Sequence, residues 1–85
     1  MADNPPVPGY PGFTADSNGD VWCNGRVLKG VYDTSGYLWV NGVLSAVLVC
    51  SAFHGAAPTP DATVTHLDGV NGNDQPTNLA WAESS

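Results

Sequence analysis

Eighty-five residues carrying eight acids, two bases and a formal net charge of −6 leave room for one domain and one core. Nucleic-acid binding draws most of its affinity from cations that replace counterions along phosphates, so this balance disfavours a conventional DNA-binding module. A hydrophobic content of 42% excludes a disordered acidic tail, and no run approaches the roughly 18–20 apolar residues of a membrane span.

A chain this small buries only about 60% of its unfolded surface, which points to modest stability or help from a partner. The opening MADNPPVPGYPG has no basic or apolar stretch of a secretion signal. Cys23 and Cys50 make no disulfide framework, so a reducing cytoplasm is expected.

The prolines at 5, 6, 8 and 11 exclude helix interior or central strand from the first dozen residues. Residues 1–6 read as a flexible arm, and residues 7–85 as one domain. Within it, residues 7–43 form a β-meander module. Asp16 to Asp20 is a turn cluster. Val21 to Cys23, Asn24-Gly25 and Arg26 to Lys29 read as a hairpin closed by a type I′ turn. Asp33 to Gly36 turns again, Tyr37 to Val40 is β-rich, and Asn41-Gly42 is a further turn. No internal repeat is expected. From Leu44 to Phe53 the chain is almost wholly apolar; its length, its alanines and the Gly55 stop favour a helix over a strand. Val64 to Leu67 reads as a strand, Asp68 to Thr77 as a polar loop, and Asn78 to Ala82 as a final strand.

Val64-Thr-His-Leu-Asp-Gly69, Asn73-Asp74 and Pro76-Thr-Asn-Leu-Ala-Trp81 resemble the HNH endonuclease signature, in particular the homing-endonuclease-like group common in phages. Ala52-Phe-His-Gly55 with Pro58 resembles that group's helix end and loop. Pro8 to Phe13, Asn18 to Val21 and Ser35 to Leu38 look like the small module that often precedes it. The resemblance spans residues 8–82 and implies an α+β fold: an N-terminal antiparallel β-meander, one central helix and a truncated ββα-metal strand-loop-strand over 44–85. It implies His66 as general base, with Asn73 and Asn78 as the asparagines of the loop and of the last strand's start.

The sequence departs from this pattern where the chemistry needs it most. Thr65 stands in the place of the metal ligand before the histidine. The second ligand belongs to a helix after the last strand, and the sequence ends at Ser85, about one turn past Trp81. Relatives carry His-Arg where Ala46-Val47 stand, and Glu where Ser51 stands. No cofactor is therefore expected, with Asp68 and Asp74 as weak metal candidates. A divalent ion (Mg, Mn or Zn) enters only if the alternative reading, a metal-dependent endonuclease or nickase, holds. A zinc site from Cys23, Cys50, His54 and His66 lacks the spacing of a zinc module. Trp22, Trp39 and Trp81 could stack on bases, but the cationic groove this requires is missing. On the relatives' pattern Leu48, Val49, Ala52 and Phe53 face the core. Ala46, Val47, Cys50 and Ser51 then look outward, with His54 beside them. An outward face without charge points to a protein partner, a host protein or a second copy in a homodimer. The alternative is that another layer of the small fold covers that face. The favoured reading is a degenerate HNH-like protein that binds protein and no longer cuts.

Overall fold

Two Asn-Gly pairs shape the N-terminal half. Asn24 (φ 52°) and Gly25 (φ 82°) occupy the left-handed region, as do Asn41 (φ 52°) and Gly42 (φ 80°). This is the backbone of a type I′ turn, whose twist matches that of the strands it joins. In the computed structural model, which describes residues 4–59 and 62–82, each pair closes a hairpin. Strands β1 (Phe13–Ala15), β2 (Val21–Cys23) and β3 (Arg26–Val27) form one antiparallel sheet in that order. Strands β4 (Val31–Tyr32), β5 (Leu38–Val40) and β6 (Val43–Leu44) form a second. Helix α1 (Ser45–His54) follows, and β7 (Thr63–His66) pairs with β8 (Leu79–Ala82) after a 3₁₀ turn at Pro76–Asn78. The fold class is the α+β arrangement expected from the sequence.

The two three-stranded sheets are copies of one unit at a constant offset of 17 residues, which corrects the expectation of a chain without repeats. Asp16, Gly19, Trp22, Asn24 and Gly25 recur as Asp33, Gly36, Trp39, Asn41 and Gly42. The contacts recur with them. Asp16 Oδ1 accepts the amides of Asn18 (2.9 Å) and Asp20 (3.0 Å) while Oδ2 accepts Trp22 Nε1–H at 2.8 Å. Asp33 Oδ1 accepts Ser35 (2.8 Å) and Tyr37 (3.0 Å), and Oδ2 accepts Trp39 Nε1–H at 2.7 Å. Each aspartate thus closes its own turn and clasps the tryptophan six residues on, so two of the three indoles are bound to carboxylates.

The expected arm at 1–6 is corrected as far as it is described. Pro5 O accepts the Ala15 amide at 3.2 Å and Pro6 bridges Thr14, because Val7 beside them is a core residue. Residues 1–3 lie outside the described residues.

Helix α1 carries a second correction. Leu48 and Val49 are fully buried as expected, but Phe53 is 38% exposed, while Ala46, Cys50 and Ser51, expected outward, are buried. Six strands (β1, β2, β5, β6, β7 and β8) and the 3₁₀ turn pack around this single helix. A helix surrounded in this way keeps little solvated surface, and small side chains let its neighbours approach. Ala46, Cys50 and Ser51 are covered by the chain itself, while Val47 stays half-buried. At the C-terminal end, His54 Nε2–H donates to Pro76 O at 2.7 Å and Trp81 Nε1–H donates to Gly55 O at 2.8 Å. These two bonds tie the helix end to the 3₁₀ turn and to β8. No helix among the described residues is long and apolar enough to cross a membrane.

Burial also decides the thiols. Both cysteines are free; Cys50 is enclosed, and desolvation pushes its thiol up to about 11, whereas Cys23 is half-buried. A thiol reagent at mildly alkaline pH should titrate Cys23 alone in the native protein, and both cysteines after denaturation.

Candidate functional site

His66 closes β7, where the strand register sets it opposite Leu79. The loop that follows folds back on Asp68. Asp68 Oδ1 accepts the Val70 amide (2.8 Å) and Asn78 Nδ2–H (3.0 Å), and Oδ2 accepts Asn73 Nδ2–H at 2.8 Å. Asn78 also donates to Asn73 O at 2.9 Å and accepts the Asp68 amide at 3.0 Å. Asn73 and Asn78 therefore clamp the loop through Asp68, and neither bonds to His66. The Asn73 amide, ahead of the Val70 and Asn78 bonds, holds the Asp68 carboxyl below its ordinary range.

The two meander copies seat this loop. Asn71 Nδ2–H donates to Ser35 O at 3.0 Å, beside the Gly36 turn. At the equivalent Gly19 turn the main chain of Asp74 lies so close that a Cβ on Gly19 would stand 2.5 Å from the Asp74 carbonyl oxygen. Seated this way, Asp74 meets His66: its Oδ1 is 2.8 Å from His66 Nε2, and the two side chains are 4% and 5% exposed. A carboxylate only accepts, so Nε2 carries the proton and the lone pair of a neutral ring lies on Nδ1, nearer the main chain. Tyr37 completes the surroundings, its ring centroid 6.0 Å from that of His66. Among the described residues Asp74 Oδ2 is buried without a hydrogen-bond partner.

A groove of about 320 Å³ opens over the imidazole, lined by Tyr37, Leu44, Ala46, Val47, Val64 and His66, with Ala62 and Thr63 at its edge. Of the five helix residues expected to bind a partner, Ala46 and Val47 reach this groove. Cys50 and Ser51 lie inside the fold, and His54 is bonded to Pro76. Arg26 and Lys29, the two cations, belong to the first meander and its exit, and neither lines the groove.

Among the described residues the donors for a divalent ion do not assemble. Both Asp68 oxygens are taken by N–H groups, Asp74 offers one oxygen, and Thr65 is an exposed strand residue. No group of three or more His, Cys, Asp or Glu side chains converges among the described residues, so Cys23, Cys50, His54 and His66 are not brought together. The described residues thus do not fit the metal that the HNH signature implies.

Acid should loosen this arrangement. Asp33, through its Trp39 bond above all, and Asp68, through Asn73, both have folded values below 3.8. A lowered folded value contributes stability that is present above the unfolded value and lost as pH falls through the folded one. Tryptophan fluorescence followed down from neutrality should therefore stay flat to about pH 4 and change below it.

The geometry is a strand-loop-strand unit backed by one helix and preceded by a meander. No protein-family profile matches the chain, and no curated protein does. Among solved structures it is similar to one described as "DNA binding and cleavage by the HNH homing endonuclease I-HmuI", with a TM-score of 0.73 and 23% identity. The match covers 96% of this chain and 53% of that one, so the chain spans about half the length of the solved chain it matches. The fold is HNH endonuclease-like.

Proposed function

We propose that this is an HNH-fold protein in which nuclease chemistry has lapsed and that it works by binding another protein, in a reducing cytoplasm where free thiols persist. The surface over His66 carries this reading: it is apolar, and no Lys or Arg lines it. Phosphodiester hydrolysis needs cations on the phosphate oxygens as well as a base facing the attacking water. The Asp74 carboxylate leaves a lone pair on His66 Nδ1, but hydrocarbon walls and net negative charge oppose the phosphate. An apolar recess within a polar surface suits a protein side chain instead. Supercoiled plasmid incubated with the purified chain and Mg²⁺ or Mn²⁺ should remain intact across pH. Nicked circles made by the wild-type chain would end this reading.

One observation favours a second reading, a metal-dependent nickase with His66 as base. Buried carboxylate oxygens without partners are rare outside functional sites, and Asp74 Oδ2 is one. It would be a single donor of a ligand set completed from outside the described residues. Nicking that disappears in His66→Gln would establish it.

A further inference from the structure

We propose that the groove over His66 and the apolar stripe leading into it receive a large apolar or aromatic side chain from a basic segment of a partner protein. This rests on the binding reading above and adds what is bound and where. Alternation along β5 places Tyr37 and Trp39 on one face, and cross-strand register adds Val31 on β4 and Leu44 on β6. Val31 is 74% exposed and Trp39 39%. Leu44 belongs to the stripe and to the groove wall, so the two form one surface. The corresponding row of the first meander runs Thr14, Trp22, Val27, with the exposed apolar end replaced by threonine.

Charge selects the occupant. The chain carries −6, no cation lines the groove, and Asp33 stands at the stripe with its Oδ2 2.7 Å from Trp39 Nε1. Three N–H donors hold that carboxylate in place. A second copy would bring the same −6 into contact, a repulsion felt within a Debye length of about 8 Å at physiological ionic strength. A basic segment gains where a second copy loses.

Titration of the ¹⁵N-labelled chain with a pentapeptide of four lysines around one tryptophan tests this. Shifts are expected at Leu44, Val47, Val64 and the Trp39 indole, weakening with salt. A peptide with serine in place of tryptophan should bind at least tenfold more weakly, as should one with glutamates in place of the lysines. Val47→Glu should reduce binding of the first peptide at least tenfold although it adds negative charge, while Leu67→Glu, outside the groove, leaves it unchanged. If Val47→Glu loses its dispersed spectrum, Val64→Thr carries the same test with about fivefold loss. Equal binding of the serine peptide, shifts confined to other surfaces, no binding, or concentration-dependent shifts at these residues without peptide (a second copy in the groove) would each overturn the proposal. Binding elsewhere leaves the lapsed-nuclease reading standing, whereas plasmid nicking overturns that reading whatever the peptides do.

Discussion

Gly19→Ala should lower stability by about 2–5 kcal/mol, read as a shift of the urea midpoint, while Gly25→Ala should cost about 1 kcal/mol. Both glycines have positive φ, 88° and 82°, so both substitutions strain the backbone alike. The difference is what a methyl group meets. At Gly25 there is nothing within 4 Å; at Gly19 the Asp74 carbonyl oxygen and carbon would lie at 2.5 and 2.6 Å. Main-chain atoms cannot rotate aside, so either the turn or the loop must move. Folding free energies run at about 0.05–0.15 kcal/mol per residue, so a loss of this size takes a large share of the stability of a chain this small. The loop carries Asp74, so His66 ring resonances should also shift in Gly19→Ala and stay in place in Gly25→Ala. Equal midpoints for the two variants would mean that the first meander does not seat the loop.

Local chemistry made much of the fold legible. Asn24-Gly25 and Asn41-Gly42 form the turns their residues favour between strand-forming runs, Pro and Gly55 end the apolar run, and His66, Asp68, Asn73 and Asn78 stand at readable spacings. Packing around the helix was not legible. A run such as Ala46-Val-Leu-Val-Cys-Ser51 has no polar side to mark an outward face, and an absent charge reads equally as a partner surface or as a covered one. Six short strands close on it and cover Ala46, Cys50 and Ser51, while Val47 keeps partial exposure at the groove. The repeat is faint in the sequence because its five shared residues are scattered among positions that differ in kind, such as Asp20 against Tyr37. Only the shared clasp, aspartate to tryptophan six residues later, shows them to be one unit. The His66–Asp74 pair depends on two glycine turns far away in sequence. The signal available was Asp74 itself, a carboxylate eight residues past His66 in the polar loop.

That pair supports the other large effect. His66→Ala should destabilise the protein by about 3–5 kcal/mol, because it leaves a carboxylate that is 4% exposed with neither oxygen bonded. Asp74→Asn should cost less, about 1–2 kcal/mol: the amide oxygen can still accept from Nε2–H, and no buried charge is left behind. Removing both members, as in His66→Leu with Asp74→Leu, should recover part of the loss seen in His66→Ala, since the isolated buried charge disappears along with its partner. Urea denaturation of the three variants beside wild type reads these differences. A working base would show turnover that His66→Ala abolishes in addition to this loss of stability, because a carboxylate-held imidazole keeps its Nδ1 lone pair. His66→Ala as stable as Asp74→Asn would show that the carboxylate finds other partners and that the pair does not hold the fold.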